Sequence, residues 1–198
     1  MAKQLKLFTE TEPKKRGPKQ KRPLNVFGGH YFKNYNPSQK RPINSKKALH
    51  TVLKSTLAKG SYSLKIHHNE EKVWQIISQQ TAKNDIKLYS YANAGNHLHI
   101  LLRAKTRENY VKFIRSITGL IARHVLKAER GQAQNKKFWD ARPFTRIVHF
   151  GRHDFHKLKK YLLRNTLETI GWIPKLERSK KLTHEWKSFW HRTCEVHW

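Results

Sequence analysis

Two runs of alternating character, residues 86–93 and 97–103, stand three residues apart, and no other feature limits the possible folds as strongly. Side chains on a β-strand alternate between its two faces. In the first run Ile86, Leu88, Ser90 and Ala92 share one predicted face, and Lys87, Tyr89 and Tyr91 the other. In the second, Leu98, Ile100 and Leu102 form an apolar face, while His97, His99, Leu101 and Arg103 point the opposite way. Ala94-Gly95-Asn96 makes a short turn, so the two strands are expected to pair as an antiparallel hairpin. Its apolar face then calls for a helical cover.

The flanking segments supply that cover. Residues 48–54, Ala-Leu-His-Thr-Val-Leu-Lys, alternate and are β-branched enough for a first strand. Val73, Trp74, Ile76, Ile77 and Thr81 fall at helical spacing and predict a helix over 70–83, with Asn69 as its N-cap. Tyr110, Ile114, Ile117, Ile121, Val125 and Ala128 predict a longer amphipathic helix over 107–129, ended by Gly131. Its other face carries Lys112, Arg115, Arg123 and Lys127. Residues 145–150 read as a fourth strand. Asp154 is expected to cap a last helix over 155–170, which Gly171 and Pro174 close. The order βαββαβ followed by a helix gives an α+β fold class, a ferredoxin/RRM-like antiparallel sheet. Two helices lie on one face, and the last is free to cross the other.

Three segments follow from texture: a basic arm (1–47), a folded unit (48–172) and a Trp-rich basic tail (173–198) holding Trp186, Trp190 and Trp198. Five of the seven prolines fall in the arm, which is why no apolar period extends there. Its Lys14-Lys15-Arg16-Gly17-Pro18 stretch would keep the backbone thin and extended while cations reach phosphates and a groove floor. Lys and Arg outnumber Asp and Glu 42 to 13, a formal charge of +29 that makes nucleic acid the default partner. No apolar run approaches a membrane span, and the N-terminus lacks a signal-peptide core. The single cysteine, Cys194, excludes an intrachain disulfide framework and a Cys-based zinc site. The chain reads as cytoplasmic and nucleoid-associated.

Two imidazoles at i and i+2 on one strand face, His97 and His99, make half of a metal site. With thirteen histidines, about one His-x-His pair is expected by chance, so the motif needs context. The last helix provides it. Tyr161 and Asn165 are one turn apart, at the border between an apolar stripe (Phe155, Leu158, Leu162) and a basic one (Lys157, Lys160, Arg164).

Residues 96–102, Asn-His-Leu-His-Ile-Leu-Leu, resemble the His-hydrophobic-His strand of HUH single-strand nucleases. Tyr161-Leu162-Leu163-Arg164-Asn165 is similar to the Tyr-x-x-x-Asn helix of their single-tyrosine (Y1) transposase branch. Residues 138–144 with Arg146 are similar to the segment that joins the two motifs there. Across about residues 45–172 the pattern most resembles REP-associated tyrosine transposases, except that Thr166 stands where the family often has Pro. The resemblance implies that His97, His99 and Asn165 hold one Mg²⁺ or Mn²⁺ ion, which polarises and orients a scissile phosphate. It implies that Tyr161 attacks in line, leaving a 5′-phosphotyrosine and a free 3′-OH, so that strand transfer follows without ATP. Arg103, Lys160 and Arg164 are candidates for phosphate contact, and Arg16 for contact from the arm. The expected partner is single-stranded or hairpin DNA, met by a monomer or a homodimer, with no membrane involved.

Other classes fare differently. Two-metal nucleases need several clustered carboxylates, and the chain is poor in acids. No His-Glu-x-x-His helix supports a zinc hydrolase. A non-catalytic module is the alternative: an RRM-like sheet could stack single-stranded bases on Tyr89 and Tyr91 and would need neither Tyr161 nor a metal.

Overall fold

A computed structural model describes residues 42–128, 137–148 and 151–173, together with the strand Phe27–Gly28. The elements are β1 (Phe27–Gly28), β2 (Leu49–Lys54), α1 (His67–Lys83), β3 (Ile86–Asn93), β4 (His97–Ala104), α2 (Arg107–Val125), β5 (Phe144–Ile147) and α3 (Gly151–Ile170). They form an antiparallel sheet in the order β1-β5-β2-β4-β3. The four longer strands with α1 and α2 keep the βαββαβ order read from the sequence, which puts β2 and β4 at the centre. The two-residue β1 draws part of the arm onto the sheet edge, pairing with Arg146 and Thr145 of β5.

The expected hairpin joins β3 to β4. Ala94 N–H donates to the His97 carbonyl at 3.0 Å. Gly95 takes φ +84°, a left-handed conformation that disfavours a side chain. Buried Asn93 fixes the turn from both ends of its amide. Its Oδ1 accepts from Gly95 N at 2.9 Å, and its Nδ2 donates to the Leu64 carbonyl at 2.7 Å.

Alternation then decides what each face buries. Leu49 and Leu53 of β2 join Leu98, Ile100 and Leu102 of β4 in a core with Val73 and Ile77 of α1 and Phe113, Ile117 and Ile121 of α2. Burying a side chain of this size contributes about 1.5–3 kcal/mol, so this face dominates stability. Thr51 and Tyr110, polar residues inside that layer, satisfy each other through a 3.1 Å hydroxyl contact. On the opposite face a smaller cluster, Ala92, Leu101, Val148, Leu158 and Leu162, seats α3.

Several expectations need correction. Tyr89 and Tyr91 do not share a face. A bulge between Leu88 and Ser90 shifts the β3–β4 register, so Tyr91 joins the α1/α2 core while Tyr89 packs on the α3 side. Asn69 does not cap α1, which begins two residues earlier at His67. Asn69 lies inside the first turn, buried, donating from Nδ2 to the Ser61 and Ser63 carbonyls. Asp154 likewise sits in the first turn of α3, which starts at Gly151, and pairs with Arg146 instead of capping. Helix α2 ends at Val125, because Lys127 adopts φ +51°. The strand expected over 145–150 is Phe144–Ile147. Gly131, most of the arm, the tail from Pro174 onward and residues 149–150 lie outside the described residues.

Candidate active site

The polar face of β4 meets α3 at three rings. His97 and His99 stand with centroids 4.8 Å apart and planes at 78°, and the Tyr161 ring lies edge-on to His99 at 5.7 Å. Tyr161 is 43% exposed, whereas His99 is buried. Helix α3 reaches this position because Leu158 and Leu162 bury against Leu101 and Ala92. Tyr161, adjacent to Leu162, is thereby set at the edge of the seam. The first turn of α3 is held separately. Arg146 Nη2 donates to both carboxylate oxygens of Asp154 at 2.8 and 2.7 Å, tying the helix to β5.

Each histidine of the pair has its Nδ1 engaged. His97 Nδ1 lies 2.6 Å from Asn96 Oδ1, an acceptor, so Nδ1 carries the proton and Nε2 the lone pair. His99 Nδ1 lies 3.1 Å from His50 Nε2, with the two rings stacked at 5.3 Å and 14°. His99 Nε2 is buried and has no hydrogen-bond partner among the described residues. Burial, then His50 and His97 nearby, pushes the His99 pKa down to about 3. Burial, then Arg146, pushes His50 down to about 4. Both rings are therefore neutral near pH 7, the state in which an imidazole ligates metal.

Asn165 follows Tyr161 by one helical turn, and its Nδ2 is also buried with no partner among the described residues. Orphaned buried polar atoms are costly and uncommon. A lone pair on His99 Nε2 is one that a cation would relieve, whereas Asn165 Nδ2 is a donor and only the Oδ1 of that amide could face an ion. Two imidazole nitrogens with a carboxamide form a mixed N,N,O set that suits a divalent ion keeping open positions for phosphate or water. Among the described residues no group of three or more His, Cys, Asp or Glu is placed to hold a metal. Thr166 continues the helix and donates from Oγ1 to the Leu162 carbonyl at 3.2 Å.

The structure brings together His97, His99 and Tyr161, and sets Asn165 on the same helix as Tyr161. The phosphate candidates are more dispersed. Arg103 and Lys160 are exposed, and Arg164 is ion-paired with Glu168 at 2.7 Å. Arg16 lies outside the described residues. The sequence offers His50 only as part of a strand. Its alternation in β2 is visible in the sequence, but its contact with His99 depends on a strand register that no local pattern encodes.

The segment before β5 is anchored as well. Ser55 Oγ donates to the Phe138 carbonyl, Trp139 Nε1 donates to the Thr118 carbonyl at 2.9 Å, and Asp140 accepts from Thr56 N and Oγ1. Among the described residues no helix is long and apolar enough to cross a membrane.

Comparison with known proteins bears on the fold and the family. A search of curated protein sequences finds no match. Among solved structures, this chain is similar to a REP-associated tyrosine transposase bound to a REP hairpin. The TM-score is 0.52 at 12% identity, covering 68% of this chain and 74% of that one. A Deinococcus radiodurans protein assigned as a transposase aligns at a TM-score of 0.40 and 15% identity, over 64% of this chain and 96% of that one. The model of the IS200-like transposase family matches residues 47–165, an interval that contains β2, the His97/His99 strand, Tyr161 and Asn165. The chain belongs to the IS200-like family of single-tyrosine (Y1) transposases.

Proposed function

We propose that this transposase cuts and rejoins single-stranded DNA through a covalent link to Tyr161. The observation that carries the reading is the placement of the partly exposed Tyr161 ring edge-on to His99. Tyr161 Oη forms a bond to the scissile phosphorus as the bond from phosphorus to O3′ breaks. The phenolic proton is lost to solvent, and the departing O3′ takes up a proton to become a free 3′-OH. The phosphotyrosine conserves the phosphodiester bond energy, so a second 3′-OH can displace Tyr161 and complete strand transfer.

His97 and His99 through Nε2, with Asn165, would hold Mg²⁺ or Mn²⁺; when bound, the ion supplies Lewis-acid polarisation of the phosphate. The chain's own part is positional. The Arg146–Asp154 pair ties α3 to β5, the Leu158/Leu162 seam packs it on Leu101 and Ala92, and the neutral, buried His99 ring keeps a lone pair available. Arg103, Lys160 and Arg164 contact the DNA backbone, and the arm with Arg16 adds cationic reach. The hairpin bound by the structural neighbour supports hairpin DNA as the partner class here. The basic charge and this activity favour a nucleoid location.

A base-stacking module has less support. Tyr89 packs edge-on against Phe155 of α3, and Tyr91 packs against Trp74 of α1, which occupies both rings with helices. The test is Tyr161→Phe, which keeps the ring and removes the nucleophilic oxygen. The variant should bind labelled single-stranded DNA as wild type does and cut none of it with Mg²⁺ or Mn²⁺. Undiminished cleavage by Tyr161→Phe would overturn the mechanism, and binding without cleavage by wild type would favour the module.

A further inference from the structure

Strand β2 contributes a third histidine to this face, and the mechanism above leaves it without a role. His50 pairs in register with Leu101, and His99 with Val52, so His50 and His99 are diagonal neighbours on one side of the central strand pair. Both are buried, at 7% and 5% exposure. They meet through His50 Nε2 and His99 Nδ1, 3.1 Å apart. A bond between two neutral imidazoles needs one donor and one acceptor, so it has two possible directions. If His50 donates, His99 carries its proton on Nε2 and has no lone pair to offer a metal. If His99 donates from Nδ1, its Nε2 lone pair faces the buried, partnerless side.

Two features select the second direction. A proton on Nε2 would be a buried donor with no acceptor among the described residues, a costly state, whereas a lone pair there is the form a cation relieves. His97 is held in the matching form by Asn96, which accepts from its Nδ1. A metal-bound histidine commonly donates its other N–H to a fixed acceptor, and loss of that acceptor weakens the metal.

We infer that His50 is a positioning residue that accepts a hydrogen bond from His99 Nδ1–H and so presents His99 Nε2 to the divalent cation. This rests on the metal site proposed above. His50 touches neither substrate nor ion and acts through His99 alone. The near-parallel stacking also restricts rotation of the His99 ring, so orientation and tautomer are set by one contact.

The test separates tautomer from metal affinity. Long-range ¹H–¹⁵N NMR on the metal-free full-length protein, with the His99 signals assigned by their loss in His99→Gln, should show His99 protonated on Nδ1. An Nε2–H tautomer overturns the inference whatever the metal does. Mn²⁺ titration followed by the electron paramagnetic resonance of the free ion provides the second readout. His50→Phe keeps a flat ring but removes the acceptor, and should raise the Mn²⁺ dissociation constant about 10- to 100-fold. His50→Gln, whose Oε1 accepts the same bond, should recover most of that loss and keeps the test open should His50→Phe fail to fold. Equal affinity in wild type and folded His50→Phe, or no recovery with His50→Gln, overturns the role. Wild type with the Nδ1–H tautomer but no Mn²⁺ binding refutes the metal site, and with it the purpose assigned to His50, while leaving the hydrogen-bond direction established.

Discussion

Leu98, Ile100 and Leu102 leave β4 toward α1 and α2, while His97, His99 and Leu101 leave it toward α3, so one strand serves two unlike environments. The first is an apolar layer whose members are almost fully excluded from water. The second is a small apolar seam beside buried imidazoles, a carboxamide and an ion pair. Each buried polar group there loses hydration and must recover it from a partner, at a cost of about 1–3 kcal/mol where it does not. Stability and the proposed chemistry are thus divided across the thickness of one sheet. The α1/α2 side holds the scaffold, and the α3 side carries groups that a stability optimum would not retain.

The division predicts a graded response to substitution. Ile100→Ala, at the centre of the apolar layer, should lower unfolding free energy by about 2–5 kcal/mol in urea denaturation, because a cavity remains where the side chain was. A loss below 1 kcal/mol would mean the layer is not the main source of stability. Asp154→Ala removes the acceptor for Arg146 on the α3 side, where the paired side chains are only 21% and 15% exposed. It should cost about 1.5–3 kcal/mol, as for hydrogen bonds to charged groups, and lower cleavage by loosening α3. If it exceeds Ile100→Ala in the same denaturation series, the assignment of stability to one face is reversed. His97→Ala lies at the other extreme. His97 is half-buried on the reactive side, so its loss should shift stability by about 1 kcal/mol or less while abolishing Mn²⁺ binding in calorimetry. Metal binding that survives this change would remove His97 from the site.

What the sequence disclosed follows the range of the interaction. The β4 alternation is local and placed His97 and His99 on one face without ambiguity. The hairpin was legible because Gly95 sits where a left-handed residue is required. Tyr161 and Asn165 share a face through helical spacing, another local property. The bulge at Leu88/Ser90 was hidden because it is a feature of strand pairing, and it moved Tyr91 to the opposite face. Asn69 and Asp154 have the chemistry of helix caps, but tertiary partners, the Ser61 and Ser63 carbonyls and Arg146, claimed their side chains. His50 is the largest omission, since its meaning comes entirely from the diagonal contact across β2 and β4.

The central claim is that α3 delivers Tyr161 to the histidine face as a nucleophile. The most direct measurement is mass spectrometry of proteolytic peptides after reaction of the full-length protein with single-stranded DNA from the flanks of its own gene, in Mg²⁺ or in EDTA. A nucleotide adduct is expected on the peptide containing Tyr161, joined through a 5′-phosphate, present with Mg²⁺ and absent with EDTA. Cleaved DNA with no adduct, or an adduct on any other residue, would contradict it.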